Sequence, residues 1–222
     1  MKITIPENLN EITLEQFLKF KKVISAPDIT DEIYQLAVVT IFCKLKVEEA
    51  RSIAISDFKD IYAKLIEVLN QEPQFAQRFT IFDKEFGFIP NLDEITAGEY
   101  IDLDKYGAME DGYLDVMGIL FRPITNKVKD TYLIERYDSP DKYLDHIKNM
   151  PLGVALGSNV FFYNLSKDLL KATKTYWEEL VTSEGLEVVS EINGDGINQF
   201  TQLLEETLQS LTKFSSIQHT SL

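Results

Sequence analysis

Residues Phe86–Tyr106 read FGFIPNLDEITAGEYIDLDKY, and the fold turns on how this stretch is read. Phe86, Phe88 and Ile89 make an apolar, aromatic-rich run that meets Pro90-Asn91, a pair that ends regular structure. Five residues later Thr96 and Glu99 have capping-box spacing: a hydroxyl accepts from the third backbone amide onward and the acid reaches back to the cap. The stretch therefore predicts a strand, a tight exit and a helix start. None of its residues forms a catalytic signature.

Upstream, the period is two: Phe79 and Ile81, then Phe86 and Phe88, flank Asp83-Lys84-Glu85, which predicts a hairpin. Before that the chain reads as helical. Thr13 and Gln16 form a capping box ahead of Phe17, Phe20 and Ile24. Thr30-Asp31-Glu32 opens a second helix whose Val38, Val39 and Phe42 leave little polar surface. Val47–Arg51 makes one turn, and Ser56-Asp57 is expected to cap a helix with Phe58, Ile61, Tyr62, Leu65 and Leu69 on its apolar face. Residues 13–70 thus form a helical layer, and Lys2–Pro6, with β-branched Ile3, Thr4 and Ile5, is expected to be a short edge strand available to a neighbouring chain.

Downstream, the helix opened by Thr96 places Tyr100, Leu103 and Tyr106 on one side. Tyr113–Phe121 predicts another helix, ended by Pro123. Thr131–Tyr137 alternates as a strand, and Asp138-Ser139-Pro140 opens a short helix to about Asn149. From Pro151 the longest pattern runs to about Thr182, about 45 Å as a helix, and Ile197–Phe214 reads as a last one. The expected class is mainly α with small β-hairpins (α+β): a single domain, 1–222, containing a helical layer (13–70), a mixed part (78–150) and long C-terminal helices (151–214).

Composition limits function. With 36 acidic and 22 basic side chains among 222 residues, the net charge of −14 repels phosphate backbones and anionic membranes at long range. Hydrophobic residues at 45% argue against wholesale disorder. Cys43 is the only cysteine, so an intrachain disulfide is impossible, and its apolar setting predicts a buried thiol in a reducing compartment. MKITIPENLNEI lacks the apolar core of a signal peptide, which predicts a protein that stays in the cytoplasm where it is made.

Chemical motifs are weak. Glu191–Gly196 resembles the start of a calcium loop, but Gln202 stands where the closing acid belongs, so a plain turn is the better reading. Asp93, Glu94, Glu99, Asp102 and Asp104 crowd together as acids at a helix start usually do, on solvated surface. A Cys43–His146 pair lacks any electropositive cue for a thiolate. Gly153 and Gly157 have GxxxG spacing in a stretch too short and polar for a membrane span, which leaves close packing of a soluble helix. No catalytic, cofactor or metal residues are assigned.

Association is better signalled. Ile197, Phe200, Leu204, Leu211 and Phe214 follow heptad positions that suit packing within the domain or between subunits. Tyr176 and Trp177 offer aromatic anchors on the long helix.

Three stretches, FGFIPNLDEITAGEYIDLD (86–104), MGILFRPI (117–124) and MPLGVALGSNVFFYNL (150–165), together resemble a protein family of tailed bacteriophages of Bacteroidota, the crAss-like phages among them. The resemblance covers about residues 13–177. It implies a virion structural protein of the portal, neck or tail, an oligomeric ring or connector component and not an enzyme, with no cofactor. Its expected partners are copies of itself, other portal, neck or tail proteins, and packaged DNA in passive contact, with no membrane. The N-terminal helices are also similar to phage tail assembly chaperones, which keeps open a role in assembly alone.

Overall fold

The computed structural model describes residues 2–109 and 111–161. The chain divides into two units, Met1–Ser158 and Asn159–Leu222, and every numbered helix and strand lies in the first. The fold is mainly helical with a small antiparallel sheet, in the class the periodicity predicts.

Four helices come first: α1 (Leu14–Ile24), α2 (Asp31–Phe42), α3 (Val47–Arg51) and α4 (Ile55–Leu69). Thr13 and Gln16 close the expected capping box on α1, and Thr30 caps α2. Gln16 does more than cap. Its Nε2 donates to the carbonyls of Ile41 and Phe42 at 2.7 and 3.3 Å, so one buried amide supplies partners to α2 carbonyls at the end of that helix. The core between these helices holds Phe20, Val38, Val39, Phe42, Leu65 and Val68. At α4 the expectation needs correcting: the helix begins at Ile55 after Ala54, and Ser56 lies inside its first turn, bonded to Asp57.

Lys2–Pro6 is not a strand. The segment has no regular secondary structure, with Ile3 and Ile5 half-buried against the helical core and Lys2 and Thr4 exposed, and no described strand pairs with it. The alternation in the sequence was real, but hydrophobic seating of every second residue does not require a ladder partner.

The sheet runs in the order β1 (Arg78–Ile81), β2 (Lys84–Phe88), β3 (Phe121–Val128), β4 (Thr131–Ile134), with each neighbour antiparallel. The first turn is tighter than expected. Ile81 pairs with Lys84, so Phe82 and Asp83 alone make the loop, both with positive φ (48° and 62°). That is the hairpin geometry whose twist matches the strands, although phenylalanine is an unfavourable occupant.

Between β2 and β3 lie a 3-10 turn at Leu92–Glu94, α5 (Ala97–Gly107) and α6 (Tyr113–Leu120). The expected helix end at Phe121–Pro123 is instead the start of β3. Pairing with β2 stops at Pro123 and pairing with β4 begins at Ile124, so proline sits where the ladder changes partner. The strand expected over Thr131–Tyr137 stops at Ile134. Ser139-Pro140 then opens a 3-10 turn that runs into one turn of helix, α7 (Leu144–Ile147).

Register sorts the sheet residues onto two faces, because residues directly opposite share a face. Phe79, Phe86, Phe88, Phe121 and Pro123 make an aromatic face, on which Tyr143 and His146 pack at ring distances of 5.9 and 5.8 Å from Phe86. Arg78, Thr80, Glu85, Gly87 and Arg122 make a polar one. Tyr132 crosses from β4 to lie over Gly87, where any side chain would collide with its ring, and its hydroxyl donates to the Phe88 carbonyl at 2.9 Å.

The chain then returns to the helical layer. Leu14 N donates to Met150 O at 2.9 Å and Leu152 N to Ile12 O at 2.8 Å. Residues 152–161 are helical, and the remainder of the expected long helix and the helix at 197–214 lie outside the described residues. The Gly153–Gly157 spacing serves close packing: a Cβ on Gly157 would come within 2.7 Å of the Phe75 amide nitrogen, and one on Gly153 within 3.3 Å of Leu9 Cβ.

Candidate assembly surface

Helix α5 is held in an unusual way. It is 11 residues long, yet Glu99 is its only buried residue among those described. It packs along α6, and toward the polar face of the sheet its anchor is electrostatic. Glu99 pairs through Oε1 with Arg122 of β3, and the two side chains are only 4% and 9% exposed. Through Oε2 it completes the capping box, accepting from Thr96 N at 2.7 Å and Thr96 Oγ1 at 2.6 Å.

A second pair of groups closes the cluster. The Arg122 guanidinium lies over the Tyr137 ring, 5.3 Å from its centroid, and Tyr137 donates to Asp102 of α5 at 2.5 Å. Asp102 thereby gives α5 its second polar tie. The Glu99–Arg122 contact is a charge contact rather than an aligned hydrogen bond, and Arg122 Nε meets no acceptor among the described residues. Burial by itself would raise the Glu99 carboxyl; its bonds with Thr96 and the charge of Arg122 outweigh that and hold it below the usual carboxylate range. Tyr137 is shifted upward, first by burial and then by its bond to Asp102.

Anchoring Glu99 fixes the rotation of α5. Residues 99, 102, 103 and 106 turn inward at helical spacing, and Tyr100 and Ile101 turn out, 65% and 62% exposed. The expected apolar side of Tyr100, Leu103 and Tyr106 is therefore split, since Tyr100 does not follow the other two inward. The acids of this region do not converge either: Glu99 serves Arg122, Asp102 serves Tyr137, and Glu94 and Asp104 are exposed. Among the described residues no group of His, Cys, Asp or Glu has the grouping of a metal site.

A second exposed element is the distal part of the β3–β4 hairpin. The first three residues of β3 are buried and the last four exposed, so the hairpin leaves the core as it runs outward. Val128 and Leu133 lie on one face of this arm, each 63% exposed. Near its tip the arm is braced by Lys127, which pairs with Glu85 of β2 at 2.9 Å.

Cys43 and His146 belong to different surroundings. The thiol lies in the helical core, and burial pushes it up to about 11, away from thiolate chemistry. His146 packs among the rings of Phe82, Phe86 and Tyr143. The sequence-derived contact residues Tyr176, Trp177, Ile197, Phe200, Leu204, Leu211 and Phe214, and the turn at 191–196, lie outside the described residues. Sequence reasoning missed Tyr100 and Ile101 as surface residues. The signal that could have found them is Arg122, a lone charge in the apolar run MGILFRPI that requires a buried acid.

No protein-family model, curated protein or solved structure matches this chain. No helix among the described residues is long and apolar enough to cross a membrane.

Proposed function

We propose that this chain is a non-enzymatic structural protein of a tailed-phage virion, an oligomeric ring component of the portal, neck or tail region whose neighbours are copies of itself. The observation that carries the reading is α5: a helix tethered by a buried ion pair, with Tyr100 and Ile101 directed outward. Large apolar side chains presented on a rigidly oriented helix suit a lasting protein contact, because their exposure gains nothing in a chain that works alone. The resemblance of the three sequence stretches supplies the virion context. The charge of −14 suits a wall beside packaged DNA, since like charge discourages adhesion of the phosphates.

Static light scattering on the purified chain tests the association. The wild type has a mass several times the 25.5 kDa of one chain, and a Tyr100→Ser, Ile101→Ser variant shifts toward one chain while its thermal melt, measured at a concentration where both are dissociated, is unchanged. Equal masses for the two proteins would contradict the role given to α5.

A further inference from the structure

We propose that β4 of one copy pairs edge to edge with Lys2–Ile5 of the next, so that each subunit both gives and receives a strand. The inference rests on the ring reading and specifies its contact. Two segments of this chain are strand-like and open. Lys2–Ile5 alternates between exposed and half-buried residues, as a strand does, and makes no backbone hydrogen bond among the described residues. β4 is the last strand of the sheet, with β3 on one side and no described strand on the other. Each is four residues long. Open edges of this kind recruit another chain unless they are blocked, and neither segment carries an internal proline.

The side chains choose the register. Ile3 and Ile5 face the helical layer beneath them and Lys2 and Thr4 face away. On β4, Thr131 and Leu133 share the exposed face, while Tyr132 is buried. Matching these faces in the antiparallel sense sets Ile3 beside Leu133 and Ile5 beside Thr131, which lays the exposed Leu133 on the neighbour's helical layer. Lys2 then lies beside Ile134, next to Glu135, whose carboxylate already pairs with Lys142 and Tyr143. Pro6, which has no amide hydrogen, falls beyond the last pair. A contact that joins two different surfaces propagates in one direction, as closure of a ring requires.

The test is an interchain disulfide. Directly opposed strand residues lie within disulfide reach, and the native Cys43 is buried. An Ile3→Cys, Leu133→Cys variant, oxidised in its assembled state, is expected to give a ladder of covalent multimers on a non-reducing denaturing gel, and each single variant none. Leu133→Lys, checked for an unchanged monomer melt, is expected to lower the assembled mass. If the double variant assembles by light scattering yet gives no ladder, and Leu133→Lys assembles as wild type, the strand exchange is overturned and the ring reading stands. If the ladder forms but the protein is absent from virions, the strand exchange stands and the ring reading falls.

Discussion

Removing the charge of Arg122 should do more damage than removing the whole ion pair. In Arg122→Met the Glu99 carboxylate stays almost completely buried without a counter-charge, and stranding one partner of a buried pair costs about 3–5 kcal/mol. For a domain of this size each kcal/mol lowers the melting temperature by about 2–4 °C, so the variant should melt about 6–20 °C below wild type. Glu99→Gln leaves Arg122 stranded at a similar cost, though its amide oxygen still serves Thr96 N. Combining the two removes both charges and keeps the cap, so the double variant should return to within about 2 kcal/mol of wild type. Urea denaturation of all four proteins gives the coupling energy directly.

The pH dependence supplies a second sign. In wild type the Glu99 carboxyl lies below its unfolded value, so its contribution is present above the unfolded pKa and is lost as pH falls through the folded one. In Arg122→Met the counter-charge is gone while burial stays, so the carboxyl lies higher than in wild type and the variant loses less stability than wild type as pH falls. The deficit should therefore shrink between pH 7 and pH 4, and amide exchange across residues 97–107 should be faster at pH 7 in the variant than in wild type. Additive single effects below about 1 kcal/mol would mean that the pair behaves as a solvated surface bridge, and would refute the tether.

Three further outcomes are expected. Phe82→Asn should raise the melting temperature by a few degrees, because asparagine tolerates the positive φ that phenylalanine occupies at a cost of about 1 kcal/mol; a lower melt would show that the ring's contact with His146 outweighs the backbone term. Gly157→Ala should destabilise by about 1–3 kcal/mol in a denaturant titration, since the added methyl has only the Gln74–Phe75 backbone to press against. The Cys43 thiol should react with a thiol-specific disulfide reagent at least tenfold more slowly in the native protein than in urea, and stability should fall as pH rises from about 9 toward 11, because the neutral thiol is the form the fold prefers.

Local chemistry in this sequence reports local structure well. Thr13 and Gln16, like Thr96 and Glu99, stand three residues apart, in pairs whose hydrogen bonds close within a single turn, and both capping boxes form. What the sequence conceals is long-range. Glu99 reads as the back-bonding acid of a cap, and nothing adjacent to it reveals that its second oxygen meets Arg122, 23 positions later. The rotation of α5, and with it the exposure of Tyr100 and Ile101, follows from that pairing and not from the periodicity of α5 itself. Pro123 misleads for a related reason. Its ring argues for a helix stop, whereas the strand tolerates it because the ladder changes partner there. Lys2–Pro6 alternates as a strand would, and sequence alone does not distinguish a paired strand from an unpaired segment seated on a core.

Quantitative mass spectrometry of purified virions of the encoding phage tests the central claim most directly. The account predicts the chain in mature particles at a fixed copy number that matches the subunits of a ring seen at the neck or tail. Its presence in infected cells but absence from mature particles would contradict that account and assign the exposed surface of α5 to an assembly chaperone.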